Sequence, residues 1–380
     1  MGKYSTTVYL GMVDGKQKNK KITASSQREL KRKVLQAQMD VLQKKDCYSD
    51  ATFGIWAEKW MQEVVLVRGV SEGTRVQYES AIRHLNERFE KVRLDDIHLE
   101  QFQRFILNAC NSSTGKPLSK SSLKTLKNVG ASVFKYARAN NVANVPDFFE
   151  AIQIPKTAPQ KKRDALTEDQ ISAVLNTEHR CQPLAVLLLF TGLRLGEAIA
   201  LEWSDIDFLN KRIRVNKSAD TQKNSPEVKQ GGKTRAATRT IPLPDYLASY
   251  LKDYRSSRSM ISRNVITDTR GRMLSKSAYR KMWEAYIQLL NREYVYKDVP
   301  EEELQQLPLQ WTFTAYNLRH TYATLLYLQK VDVREASQYM GHSSIAITLD
   351  IYTDLENYGD LLITDDFREK LQKDYLIKSA

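Results

Sequence analysis

Thr191-Gly192-Leu193-Arg194-Leu195-Gly196-Glu197, Asn317-Leu318-Arg319-His320-Thr321 and Met340-Gly341-His342-Ser343-Ser344, with Tyr352 ten residues past the histidine, say more about this chain than the rest of its 380 residues. Two guanidiniums suit a phosphate, because each offers a planar fork of donors and stays charged at any working pH. A tyrosine beside that phosphate can attack it and hold the product as a phosphotyrosine ester. Each residue alone has a plainer reading. An arginine at a helix start is usually a surface ion pair, a tyrosine near a C-terminal helix a half-buried core residue, and a lone histidine a cap. What favours the chemical reading is the conjunction of several motifs in one order over about 160 residues.

Order, spacing and flanking residues closely resemble the tyrosine recombinase (phage integrase) family, whose members cut and rejoin DNA through such an ester. The resemblance implies that Arg194, Arg319 and His342 stabilise the scissile phosphate and that Tyr352 attacks it. Tyr339 and Tyr358 are close in sequence, but the distance from His342 selects Tyr352. Glu197 matches the family's acidic residue that orients active-site groups, and it is equally placed as an i,i+3 partner of Arg194. Lys233, in Gly231-Gly232-Lys233-Thr234, matches the family's hairpin lysine, which protonates the departing 5′ oxygen. An alkoxide is a poor leaving group, and an acid on a turn can supply its proton. Lys223 and Lys229 compete by proximity; Lys233 directly precedes the Thr-Arg run that leads into Thr240-Ile241-Pro242-Leu243.

One position departs from the family pattern. A histidine usually stands three residues before the second arginine, and here that residue is Tyr316. A neutral phenol can hydrogen-bond a phosphate oxygen, but with an ordinary pKa of about 10 it is a poor base at neutral pH. His320 adjoins Arg319, yet neighbours on a helix point apart. Either Tyr316 serves through hydrogen bonding, or water accepts the nucleophile's proton.

Composition is compatible with this. The chain exceeds what one core usually supports, so two or three domains are expected. A net charge of +13 suits a polyanionic partner, although ribosomal and membrane-surface proteins share that trait. Cys47, Cys110 and Cys181 are odd in number and far apart, which argues against a disulfide framework and for a reducing cytoplasm. The longest apolar run, residues 184–190, is too short to span a bilayer, and no signal peptide is visible. Five scattered histidines give no metal-ligand pattern, so neither metal nor cofactor is expected.

The expected fold is multidomain. Residues 1–50 read as a small α+β domain, with short strands around residues 4–10 and 20–23 and a helix over 26–43. This segment holds eleven Lys and Arg against five Asp and Glu, and it resembles the arm-type DNA-binding domain of many integrases. A plain basic face on a capping domain is the other reading. Residues 51–155 read as an all-α bundle. Trp56, Trp60 and Val64 recur at four-residue intervals, Val76, Ile82, Leu85 and Phe89 mark a second helix, and 97–107 and 119–139 supply two more. That bundle resembles the family's core-binding domain. Residues 156–165 form a proline-interrupted basic linker before Thr167, an expected N-cap.

Residues 166–380 read as a mainly α catalytic domain with a small antiparallel sheet, its strands at 212–215 and 238–243. Arg319 is expected to begin a helix, and a C-terminal helix follows from Asp365, with Phe367, Leu371 and Tyr375 on one stripe. The resemblance further implies double-stranded DNA as partner at core and arm sites, and a homotetramer that exchanges strands through a Holliday junction. It also implies a directionality factor and a host DNA-bending protein, for an element that is a phage or a conjugative transposon. A type IB topoisomerase and a non-enzymatic DNA-binding regulator remain as rival readings.

Overall fold

The computed structural model describes residues 4–13, 16–35, 52–111, 113–142, 144–160, 164–220, 226–231, 238–258, 262–304, 306–358 and 369. The chain divides into two compact units, residues 1–161 and 162–380. Among the described residues no helix is long and apolar enough to cross a membrane.

The first unit opens with an antiparallel hairpin of β1 (Tyr4–Val13) and β2 (Lys16–Ala24), in register from Tyr4 opposite Ala24 to Val13 opposite Lys16, with an irregularity between Tyr9 and Met12. In β2, Ile22 and Ala24 are buried while Lys21 and Thr23 are exposed, the period-two alternation of a half-buried strand. Helix α1 (27–35) starts at Ser26, whose hydroxyl accepts from the Glu29 amide at 3.2 Å. The rest of the helix expected over 26–43 lies outside the described residues.

Four helices then build an aromatic core: α2 (Phe53–Trp60), α3 (Glu72–Phe89), α4 (Leu99–Asn108) and α5 (Lys120–Ala139). Trp56 and Trp60 are buried as their spacing predicts, but after Trp60 the helix widens into a π-type segment, Met61–Leu66, and leaves Val64 only half-buried. The α3 stripe is Ala81, Leu85 and Phe89; Val76 is exposed, a correction to the apolar pattern, because α3 enters the core only after its first turns. Phe89 stacks on Phe102 at 5.5 Å. A Cβ on Gly130 would lie 2.8 Å from the Phe102 ring, so this glycine lets α5 approach α4. The Lys120 amide donates to the Pro159 carbonyl at 2.9 Å, fastening the start of the linker to α5.

In the second unit α6 (Glu168–Asn176) is capped by Thr167, as expected, and α7 (Gln182–Thr191) is buried along its whole length. After α8 (Leu195–Ala200) come β3 (Ile206–Asp207), β4 (Arg212–Val215), β5 (Lys217–Asp220), β6 (Glu227–Gln230) and β7 (Arg239–Pro242). They form an antiparallel sheet in the order β3-β4-β7 and a separate antiparallel hairpin, β5-β6. That hairpin lies between the two expected strands, 212–215 and 238–243. Its root is charged and dry: the Lys217 ammonium, 8% exposed, sits 3.0 Å from Glu202 and 2.8 Å from Asp205. Next come α9 (Asp245–Ser256), α10 (Lys276–Leu290) and α11 (Glu301–Leu304), and then α12 (Ala315–Leu328), α13 (Val333–Met340) and α14 (Ile345–Tyr358). Buried residues of α6–α10 and α12 close around α7 in one core.

Candidate active site

Two helices end in glycine at the site. Gly192 after α7 and Gly341 after α13 both take left-handed backbone, at φ 59° and 62°. A helix end leaves its last carbonyls without intrahelical partners and carries partial negative charge. Guanidiniums collect there. Arg319 donates from Nη1 to the Gly192 carbonyl and from Nη2 to the Met340 carbonyl, both at 2.5 Å. Arg194 donates from Nη2 to the Gly341 carbonyl at 2.6 Å. A Cβ on Gly192 would collide with the Tyr322 ring, and one on Gly341 would lie 2.8 Å from the Arg239 guanidinium.

Arg194 stands in extended backbone before α8. Its amide donates to Glu197 Oε2 and its Nη1 to Oε1, each at 2.9 Å. Glu197 is thus an i,i+3 partner of Arg194, and it also grips Arg239. Arg239 donates to the two Glu197 oxygens at 3.1 and 2.8 Å and from Nε to the Tyr339 carbonyl at 2.8 Å. Burial pushes the Glu197 carboxyl up, but Arg239 and Arg194 outweigh it and hold its pKa below the usual value.

Arg239 is the residue that motif reading misses. The available signal was strand periodicity: Arg239 and Ile241 share one face of β7, and Ile241 is buried.

Arg319, expected to begin its helix, lies instead in the second turn of α12. Thr314 and Asn317 start the helix earlier through a capping box, with the Thr314 amide donating to Asn317 at 3.0 Å. Arg319 is 4% exposed, and burial, then repulsion from Arg194, pushes its pKa down to about 9. It remains charged at neutral pH. Two guanidiniums thus share the Glu197 carboxylate while the third, on Arg319, is held by backbone carbonyls, an excess of positive charge suited to an anion.

His342 follows Gly341 as expected. Its Nδ1 lies 2.8 Å from the Thr348 hydroxyl. Burial, then Arg319, Arg194 and Arg239, push its pKa down to about 4, so the ring is neutral at pH 7. Tyr316 stands one turn before Arg319 and is 47% exposed. Lys233 and Lys223 lie outside the described residues. Their competitor Lys229 is held by Asp220 at 2.7 Å across the β5-β6 hairpin. The expected C-terminal helix also lies outside, apart from Glu369.

Tyr352 is on α14, and among the described residues its hydroxyl makes no hydrogen bond to a guanidinium. Its hydroxyl donates to the Val331 carbonyl at 3.3 Å and its ring packs edge-on against Tyr327 at 5.1 Å. Tyr327 is eight residues beyond Arg319 on α12, roughly 12 Å along the axis. Burial, then Asp332 and Glu335, raise the Tyr352 pKa well above its ordinary value. Among the described residues no group of three or more His, Cys, Asp or Glu is placed to hold a metal ion.

The chain is 28% identical over 335 residues to the tyrosine recombinase XerC-like protein of Caldanaerobacter subterraneus subsp. tengcongensis, covering 80% of each chain. Its fold is similar to that of the Tn1549 transposon integrase in complex with transposon right end DNA, with a TM-score of 0.62 at 20% identity over 81% of this chain and 99% of that one. It is also similar to a lambda integrase tetramer bound to a Holliday junction, with a TM-score of 0.55 at 18% identity over 86% of this chain and 90% of that one. Residues 52–108 match the phage integrase N-terminal SAM-like domain. Residues 164–358, which hold every guanidinium described above, match the phage integrase family itself, and the chain belongs to that family.

Proposed function

We propose that this protein is the integrase of a mobile element, a phage or a conjugative transposon, and recombines DNA at defined sites. Tyr352 gives up its proton to water, attacks the scissile phosphodiester and forms a 3′-phosphotyrosine ester, while Lys233 protonates the departing 5′ oxygen and so releases a 5′ hydroxyl. Arg194, Arg319 and neutral His342 stabilise the charge on the pentacoordinate phosphorus, each such donor contributing roughly 3–4 kcal/mol. Tyr316 hydrogen-bonds a phosphate oxygen, and Glu197 orients Arg194. The ester conserves the bond energy, so a 5′ hydroxyl of another strand reverses the step without ATP or metal.

The observation that carries this reading is the grouping of three guanidiniums at two helix ends, two paired with the single Glu197 carboxylate and the third, Arg319, held by backbone carbonyls, a net positive charge suited to an anion. For chemistry to occur, the Tyr352 hydroxyl must leave the Val331 carbonyl. Assembly on DNA is the event that moves it. Residues 1–50 bind arm-type sites, residues 51–155 grip the core site, and 156–165 link the latter to the catalytic domain. Four protomers exchange strands through a Holliday junction in the bacterial cytoplasm, with a directionality factor and a host DNA-bending protein. The lambda tetramer on a Holliday junction and the Tn1549 complex with a transposon end support this assembly and this origin.

The test uses full-length protein and fragmented bacterial and mobile-element DNA. Detergent-trapped covalent adducts are sequenced to locate the cut, and duplexes carrying that site are then paired in excess EDTA. Strand exchange between them is the expected result. Adducts with plasmid relaxation but no exchange would assign a topoisomerase, and binding without any adduct would assign a regulator.

A further inference from the structure

We propose that Thr348 is a positioning residue that sets the tautomer of His342 and thereby ties the helix carrying Tyr352 to the phosphate-binding histidine. The catalytic consequence rests on the recombinase reading above; the geometry does not.

Thr348 is 0% exposed on α14, one turn before Tyr352, on a stretch whose neighbours Ile347 and Leu349 are 43% and 50% exposed. A helical threonine ordinarily returns its hydroxyl proton to the carbonyl four residues back. In this chain Thr191 does so to Leu187, Thr321 to Asn317 and Thr324 to His320. Thr348 does not. Its hydroxyl lies 2.8 Å from His342 Nδ1, and among the described residues it has no other hydrogen-bond partner. A buried hydroxyl proton needs an acceptor. Nδ1 is the acceptor at hand, so the hydroxyl donates and Nδ1 offers its lone pair.

That choice fixes the chemistry of the other nitrogen. The neutral imidazole carries one proton, and an accepting Nδ1 leaves it on Nε2. The groups facing the ring are the guanidiniums of Arg319 on α12, Arg194 before α8 and Arg239 on β7, with Glu197 engaged by two of them. Burial, and then those guanidiniums, keep the ring neutral, so it cannot bind a phosphate oxygen simply by being an imidazolium. Only the Nε2–H tautomer donates; the opposite tautomer would turn a lone pair toward the anion. Because Thr348 and Tyr352 share α14, displacement of that helix loosens the histidine and the nucleophile together.

The experiment uses full-length protein labelled with ¹⁵N in its five histidines, the His342 signal being assigned with His342→Gln. The free protein at pH 7.5 should show His342 protonated at Nε2. Thr348→Val keeps the branched shape and should give a mixture of tautomers, while Thr348→Ser should restore the Nε2–H form. On a nicked duplex carrying the mapped site, Thr348→Val should form covalent adduct about five- to tenfold more slowly, the worth of one hydrogen bond. Thr348→Ser should recover the rate. The Thr348→Val defect should persist from pH 8 to pH 5, because the His342 ring stays neutral across that range. A His342 protonated at Nδ1 in the wild type, or an unchanged tautomer in Thr348→Val, would overturn the proposal. If the wild type forms no adduct, the recombinase reading fails instead, and the tautomer shift alone decides the role of Thr348.

Discussion

Arg239 and Glu197 meet as a two-point ion pair, at 3.1 and 2.8 Å, with each side chain only 6% exposed. Breaking a buried pair from one side strands the other charge, at a cost of about 3–5 kcal/mol. Arg239→Ala should therefore lower the unfolding midpoint of the second unit and abolish adduct formation. Arg239→Lys keeps the charge but not the planar fork, so it should fold and still react at least tenfold more slowly. Thermal unfolding and adduct kinetics together check this; wild-type kinetics in Arg239→Lys would reduce Arg239 to a counter-charge.

Two glycines in left-handed backbone, Gly192 after α7 and Gly69 in the first unit, give a graded stability prediction. Gly192 and Gly69 both have positive φ, so alanine at either costs about 1 kcal/mol in backbone strain. Gly69 has open space around its added Cβ, whereas that of Gly192 strikes the buried Tyr322 ring. Gly192→Ala should cost a further 1–3 kcal/mol or so for overpacking. Equal losses, measured on the unfolding transition of the unit holding each glycine, would remove the steric argument.

Much of this site was legible because its parts lie at helix ends. Gly192 and Gly341 announce C-caps, and Arg194, Glu197, Arg319 and His342 sit within short motifs whose spacing survives without tertiary information. Arg239 was not legible in that way, since its partners Glu197 and Tyr339 lie 42 and 100 residues away. Val76 misled because periodicity cannot tell a buried stripe from an apolar residue left at a helix entrance. The β5-β6 hairpin hid for the opposite reason: Lys217–Asp220 and Glu227–Gln230 are largely polar, and their anchor is a charge cluster with Glu202 and Asp205. The parking of Tyr352 against Tyr327 and Val331 is a matter of packing that no spacing encodes.

Lys233→Ala should cleave ordinary DNA poorly, and a 5′-bridging phosphorothiolate at the mapped site should restore cleavage, because sulfur leaves without a proton. The same substitution at Lys229, already paired with Asp220, should have little effect on either substrate. Equal defects of Lys233→Ala on both substrates would take this lysine out of the acid role.

Tyr316 is half exposed one turn before Arg319, and in the proposed reading it hydrogen-bonds the phosphate. Tyr316→His should retain or raise cleavage near pH 7, and Tyr316→Ala should lower it. Full activity in the alanine variant would make position 316 structural only.

The identity of the nucleophile is the most direct test of the whole account. Full-length wild type and Tyr352→Phe are incubated with a nicked duplex carrying the mapped site and resolved on a denaturing gel. Wild type should retain labelled DNA covalently, with the ester mapped by mass spectrometry to the peptide containing Tyr352. Tyr352→Phe should bind the duplex with unchanged affinity and give no adduct. An adduct of undiminished yield in Tyr352→Phe, carried on Tyr339, Tyr358 or any other residue, would contradict it.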